Sequence, residues 1–247
     1  MERWQDRVAV VTGASSGIGA AVAKDLVRAG CITVGLARRV ERIEALRDDL
    51  PEEQRERLHA LSCDVGDADS VKQAFDWIET ELGGVDILVN NAGTLHTGQL
   101  LTLELEKLQQ VLQVNLMGSV YCTRRAFKSM QERDVAGHVV LINSLTGQTV
   151  FNPPGDVAQN LNMYPLSKHG ITGMLEILRQ EFRDFKTQIK VTSISPGVTR
   201  TEILPDNFNA LYMLQPEDIS NGIMYALATP PHVQVHQLTI KPVGEPF

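Results

Sequence analysis

No apolar run in this chain approaches the roughly 18 residues that a membrane-spanning helix requires, so no transmembrane segment is expected. Basic charge is also in short supply. The 23 Lys and Arg are outnumbered by 30 Asp and Glu, the formal net charge is -7, and Arg38-Arg39 and Arg124-Arg125 are no more than pairs. That balance excludes the basic footprint of a nucleic-acid-binding surface. Cysteine is limited to Cys31, Cys63 and Cys122, an odd number with no C-x-x-C spacing, each in an apolar stretch. They read as buried, reduced core thiols and not as a disulfide framework. No metal site is expected. Repeats, low-complexity tracts and linkers are missing too, so the 247 residues read as one domain around one sizeable core. Met1 to Arg7 lead directly into a strand pattern and leave no room for a signal peptide, which makes the cytoplasm the expected compartment. What remains, 43% hydrophobic and 21% charged, is the composition of a globular enzyme or binding domain.

Short β-rich runs at 7–12, 32–37, 58–63, 85–90, 138–143, 189–195 and 234–240 alternate with helical periodicity over about 17–30, 39–49, 67–82, 104–133, 162–184 and 216–228. Strands separated by helices build βαβ units, so the expected fold is α/β: a doubly wound, Rossmann-type, seven-stranded parallel sheet with helices on both faces. Thr12, Asp64, Asn90, Asn143-Ser144 and Ser195-Pro196 fall at the carboxyl ends of strands, the edge where open parallel sheets bind ligands. Two stretches, 146–162 and 199–215, look irregular.

The run Thr12-Gly13-Ala14-Ser15-Ser16-Gly17-Ile18-Gly19 follows a strand and opens a helix. Its glycines permit a tight turn and close backbone approach, and the helix start supplies free N-H groups and partial positive charge for a pyrophosphate. Downstream, Tyr164 and Lys168 lie four apart and so share a helix face. An adjacent ammonium favours the phenolate, which would hold the tyrosine pKa below its ordinary value near about 10.

The glycine spacing is T-G-x-x-x-G-x-G. With Asn90-Asn91-Ala92-Gly93, Asn115, Ser144, Tyr164/Lys168 and Pro196-Gly197 in that order, the chain resembles the single-domain short-chain dehydrogenase/reductases from about residue 7 to its carboxyl end. The resemblance implies a cofactor half over about 1–143 and a catalytic and substrate half over about 144–247. It also implies a tetrad in which Ser144 binds the substrate oxygen and Tyr164 moves the proton. Lys168 then tunes Tyr164 and holds the nicotinamide ribose, and Asn115 anchors a water. Gly13, Ser15, Ser16, Gly17, Ile18 and Gly19 would cradle the phosphates, Asp64 and Val65 would line the adenine site, and Asn91, Ala92 and Gly93 would pass beneath the adenine ribose. Pro196, Gly197, Val198, Thr199 and Thr201 would meet the carboxamide. An acid at the end of the second strand selects NAD, whereas this chain has Arg38 and Arg39 there, suited to the 2′-phosphate of NADP(H).

From Met1-Glu-Arg-Trp4 to the closing Gln237-Leu-Thr-Ile-Lys-Pro242, the chain is similar to the branch of insect farnesol-dehydrogenase-like proteins and their carbonyl-reducing vertebrate relatives. That implies a small hydrophobic alcohol or carbonyl substrate, interconverted by hydride transfer, and a homodimer or homotetramer built on helices 104–133 and 162–184. The apolar Leu95, Val150–Pro154, Leu161, Met163, Ile203, Leu204, Phe208 and Leu211–Leu214 fit such a substrate. The other readings are a catalytically silent NADP(H)-binding regulator of the same fold and an epimerase or dehydratase, the latter disfavoured because the chain is too short to hold a large substrate domain for a nucleotide sugar. One departure from the family stands out: 19 residues separate Ser144 from Tyr164, more than is common, and Thr146 within them offers a second hydroxyl. Pro165 is expected to bias Tyr164 away from helical geometry and to put it at its helix start.

Overall fold

The computed structural model describes residues 1–150, 161–204 and 212–245. Seven strands, β1 (Val8–Thr12), β2 (Ile32–Ala37), β3 (Leu58–Ser62), β4 (Ile87–Asn90), β5 (His138–Ile142), β6 (Lys190–Pro196) and β7 (Gln237–Ile240), form one sheet in the order β3-β2-β1-β4-β5-β6-β7. Every pairing is parallel, with β1 and β2 in register from Val8 and Ile32 to Thr12 and Leu36. The strands β1, β2, β4 and β5 are mostly apolar because both faces are covered, whereas β7 at the sheet edge is partly exposed. Successive side chains point to opposite faces, and the core divides accordingly. Val10, Leu88, Val139 and Val191 pack with Phe75 and Ile78 of α3 (Ala68–Leu82), Met130 of α5 (Gly118–Glu132) and Leu175 of α6 (Met163–Asp184). Ala9, Val11, Val89 and Val140 pack with Val22 and Leu26 of α1 (Gly17–Arg28) and Ile219 and Ile223 of α7 (Pro216–Ala228). Cys31, Cys63 and Cys122 are free thiols buried in these layers.

Element ends depart from the periodicity where side chains replace backbone partners. Asp86, expected within β4, accepts the Val8 N-H on its carboxylate at 2.9 Å and the Arg133 guanidinium at 3.0 Å, and the strand begins at Ile87. Gln234, expected within β7, takes the Val191 N-H on its side-chain oxygen, and the strand shrinks to Gln237–Ile240. The helix expected over 39–49 is α-helical only over α2 (Val40–Ala45) and tightens to a 3-10 turn at Leu46–Asp49. The long helix expected over 104–133 is α4 (Leu105–Leu112) and α5 joined by a π-turn at Gln113–Met117, and Asn115 sits in that turn. No helix among the described residues is long and apolar enough to cross a membrane.

Candidate active site

A cleft opens along the carboxyl ends of the strands, as the sheet order requires. One end is the glycine turn between β1 and α1. Gly13 and Gly17 have φ of +66° and +53°, the left-handed region that favours glycine. A Cβ at Gly13 would stand 2.9 Å from the Ala92 Cα, and one at Gly17 would stand 2.9 Å from the Thr201 side chain, so both glycines keep the groove open. Helix α1 starts at Gly17 with no side-chain cap and no acid in its first turn, which leaves its N-H groups available to an anion. The Asn91 side chain donates to the Thr12 carbonyl at 2.9 Å, and the Thr12 hydroxyl accepts the N-H groups of Asn91 and Ala92. The Asn-Ala-Gly turn is thereby pinned to the first strand.

Ser15, Ser16, Ile18, Asp64, Val65, Gly93, Pro196, Gly197, Val198 and Thr199 also line the cleft, with Arg38 and Arg39 at its rim. Gly19 does not reach the wall. It packs beneath the turn, where a Cβ would run into the Gly13 carbonyl and the Asn91 side chain. Asp64 both faces the cleft and closes a turn by accepting the Gly66 N-H at 2.9 Å.

Arg39 reaches the Ser15 and Ser16 hydroxyls, each at 3.3 Å, and pairs with Glu202 at 2.9 Å. The other Glu202 oxygen meets Arg42 at 2.6 Å, and the hydrogen bond from Arg39 is the main cause that holds its carboxyl below the ordinary range. Neither Glu202 nor Arg42 is singled out by the sequence pattern, because the two pairs join the β2 end and α2 to the loop after β6 across some 160 positions.

At the other end lie Ser144, Tyr164 and Lys168. Ser144 caps the turn that follows β5, and its Oγ accepts from the Thr146 N-H at 3.1 Å. Tyr164 is the second residue of α6, at the helix start as expected, although Pro165 does not exclude it from helical geometry. Pro165 is the third residue of that helix, where its missing N-H would have had no partner, and the preceding Asn162 takes up the bend at φ 41°. The Asn162 amide also donates to the carbonyls of His96 and Gly98, tying the start of α6 to the loop after β4.

The Lys168 ammonium donates to the Ile142 carbonyl at 2.8 Å and lies 5.5 Å from the Tyr164 ring centroid. Burial pushes the Lys168 pKa down to about 8. Burial likewise pushes the Tyr164 phenol up to about 12, and the hydrogen bond with Ser144 offsets only part of that. In this structure, then, the lysine does not depress the tyrosine as expected, because desolvation outweighs an ammonium set beside the ring.

Asn115 is 1% exposed and stands behind the wall. Its side chain accepts the Thr94 N-H at 2.7 Å and donates to the Thr94 carbonyl and to Ser167 Oγ, while Ser167 donates to the Tyr164 carbonyl at 2.7 Å. It couples the loop after β4 to the helix of Tyr164 and makes no hydrogen bond to Lys168. Leu95, Leu161, Ile203 and Leu204 supply apolar lining, while residues 151–154, 208 and 211 lie outside the described residues.

The short chain dehydrogenase family model matches residues 7–211, and the chain belongs to that family of NAD(P)-using oxidoreductases. It is 54% identical to a farnesol dehydrogenase of Aedes aegypti over 250 residues, covering 100% of both chains. It is 39% identical to dehydrogenase/reductase SDR family member 11 of Gallus gallus over 258 residues, covering 99% of each. Its fold matches the closed form of a serine dehydrogenase complexed with NADP+ at a TM-score of 0.83 and 26% identity, covering 97% of this chain and 96% of the other.

Proposed function

We propose that the protein interconverts a hydrophobic alcohol and its aldehyde or ketone using NADP(H), with Tyr164 as general acid and base. The observation that carries this reading is the convergence of Ser144, Tyr164 and Lys168 on the wall of a cleft that has Arg39, Ser15 and Ser16 at its other end. The residues fit the dinucleotide: the glycine turn is one that a Cβ would fill, the α1 start is uncapped, and a guanidinium stands where the second strand ends. Ser15, Ser16, Gly17 and Ile18 would hold the pyrophosphate, Arg38 and Arg39 the 2′-phosphate, Asp64 and Val65 the adenine, and Asn91 to Gly93 its ribose. Pro196 to Thr199 and Thr201 would hold the carboxamide. A bound nicotinamide supplies the hydride or accepts it.

The chain itself handles the proton. Tyr164 keeps its phenol protonated at neutral pH and is poised to donate to a carbonyl oxygen, or to take the proton back from an alcohol. Ser144 donates to that same oxygen as charge builds on it. Lys168 brings an ammonium held by the Ile142 carbonyl to the site, and Asn115 holds the π-turn and the Tyr164 helix in register. The farnesol dehydrogenase similarity and the apolar lining favour isoprenoid alcohols, steroids or xenobiotic carbonyls. The proposal extends to a cofactor half over 1–143 and a catalytic half over 144–247, and to a cytoplasmic location. It includes a homodimer or homotetramer using α4, α5 and α6, where Leu166, Ile177 and Phe185 lie exposed on or beside α6.

The test is turnover of farnesol, a retinol, a hydroxysteroid and a small diketone with NADP(H) and NAD(H). Turnover of an apolar member with NADP(H) favoured is expected. Tight NADPH binding with silence across the panel would replace this reading with a regulatory one.

A further inference from the structure

We propose that Thr146 is a positioning residue that fixes the Ser144 hydroxyl as an obligatory hydrogen-bond donor into the cleft. The inference rests on the reading above that Ser144 meets the substrate oxygen. A serine hydroxyl has two acceptor lone pairs and one hydrogen, and the hydrogen rotates to suit its surroundings. The Thr146 N-H takes one lone pair of Ser144 at 3.1 Å. The Thr146 hydroxyl lies 3.0 Å from the same oxygen, and among the described residues Ser144 is its one hydrogen-bond partner. Thr146 is 4% exposed. If Ser144 donated to Thr146, the threonine hydrogen would be left without an acceptor among the described residues, the costly arrangement for a hydroxyl in a nearly buried residue. Thr146 therefore donates, and the second lone pair of Ser144 is filled. Only the Ser144 hydrogen is left to point at Tyr164 and the cleft, consistent with its hydrogen bond holding the phenol pKa below where burial alone would take it.

The turn that makes this possible is fixed to the helix of Tyr164. Thr172 on α6 donates to the Gly147 carbonyl at 2.7 Å and accepts from the Asn143 side chain at 2.9 Å. A Cβ at Gly147 would run into the Asn143 side chain, so the chain curls back tightly enough to bring both Thr146 donors onto one oxygen. The chemical consequence is directional. An oxygen that passes between carbonyl and alcohol gains or loses negative charge in the reaction, and a serine able only to donate follows that charge, whereas one free to accept would compete for the proton of Tyr164.

The experiment compares Thr146→Val, which keeps the shape and removes the hydroxyl, with Thr146→Ser, each in wild-type and Ser144→Ala backgrounds. Turnover is followed with NADP(H) and the best substrate of the panel above, alongside NADPH fluorescence titration and thermal melting. T146V should lower kcat about tenfold, short of the loss on removing an oxyanion donor outright, with KM and NADPH affinity held within about twofold. T146S should restore kcat, and T146V should do nothing further in S144A. If T146V melts early, Thr146→Ala carries the same comparison. Full kcat in T146V, or the same tenfold loss in the S144A background, would overturn the inference. Wild-type turnover in S144A alone would instead defeat the reading on which it rests, so the two failures are separable.

Discussion

At the scale of single residues, charge is placed at the two ends of the cleft, with Arg39 at one and Lys168 at the other. Arg39 offers a guanidinium beside Ser15 and Ser16, and charge-assisted contacts of that kind weigh far more than neutral ones. Arg39→Ala is expected to weaken NADPH binding about ten- to a hundredfold and leave NADH nearly unchanged, measured by fluorescence titration; an equal loss for both would remove the basis for NADP(H) selection. Glu202 competes for the same guanidinium. The pair is about half exposed and worth little in water, so Glu202→Gln should tighten NADPH by no more than about fivefold. Weaker NADPH binding in that variant would mean that Glu202 holds the cofactor site together instead of opposing its ligand.

At the scale of elements, the site is built by short segments that bolt one strand end to the next. Asn162 is the clearest case, since one amide caps α6 through the Met163 N-H and reaches two carbonyls of the loop after β4. Asn162→Ala should cost about 1–2 kcal/mol in denaturant unfolding, the range of a lost cap; an unchanged midpoint would show that the turn holds without it. These segments also mark where the sequence stops being informative. The runs Val8–Thr12 and Ile32–Ala37 announce themselves by composition, and Gly13, Gly17, Tyr164 and Lys168 by local spacing. The ends of β4 and β7 do not, because Asp86 and Gln234 act through partners that periodicity cannot see. The same holds for Glu202 opposite Arg39 and Thr94 opposite Asn115, which meet only once the sheet is wound. The rise in the Tyr164 pKa was illegible for a related reason: spacing reports the neighbouring ammonium, whereas burial is set by the whole fold.

At the scale of the whole molecule, the end of the sheet opposite the cleft carries its own charge problem. His138 at the start of β5 is fully buried, bonds Thr192 at 2.8 Å, and is pushed down to about 3, first by burial and then by Lys190 and Arg3. Its folded pKa lies below the unfolded value near about 6.5. Between those values the unfolded chain binds a proton that the folded protein refuses, so stability falls as pH drops from about 6.5 towards 3, by up to about 1.4 kcal/mol per pH unit. His138→Gln should flatten that slope in urea unfolding across this range, and an unaltered slope would assign acid sensitivity elsewhere.

The seven parallel strands bring Ser144, Tyr164 and Lys168 to the same edge as the glycine turn, and the claim that this edge transfers hydride through a tyrosine proton is the one to test first. The measurement is NADPH formation from farnesol by the wild-type protein and by Tyr164→Phe, with NADPH binding titrated in both. The account predicts turnover in the wild type, a loss of about a hundredfold or more in the variant, and equal NADPH affinity. A variant that keeps wild-type turnover would contradict it.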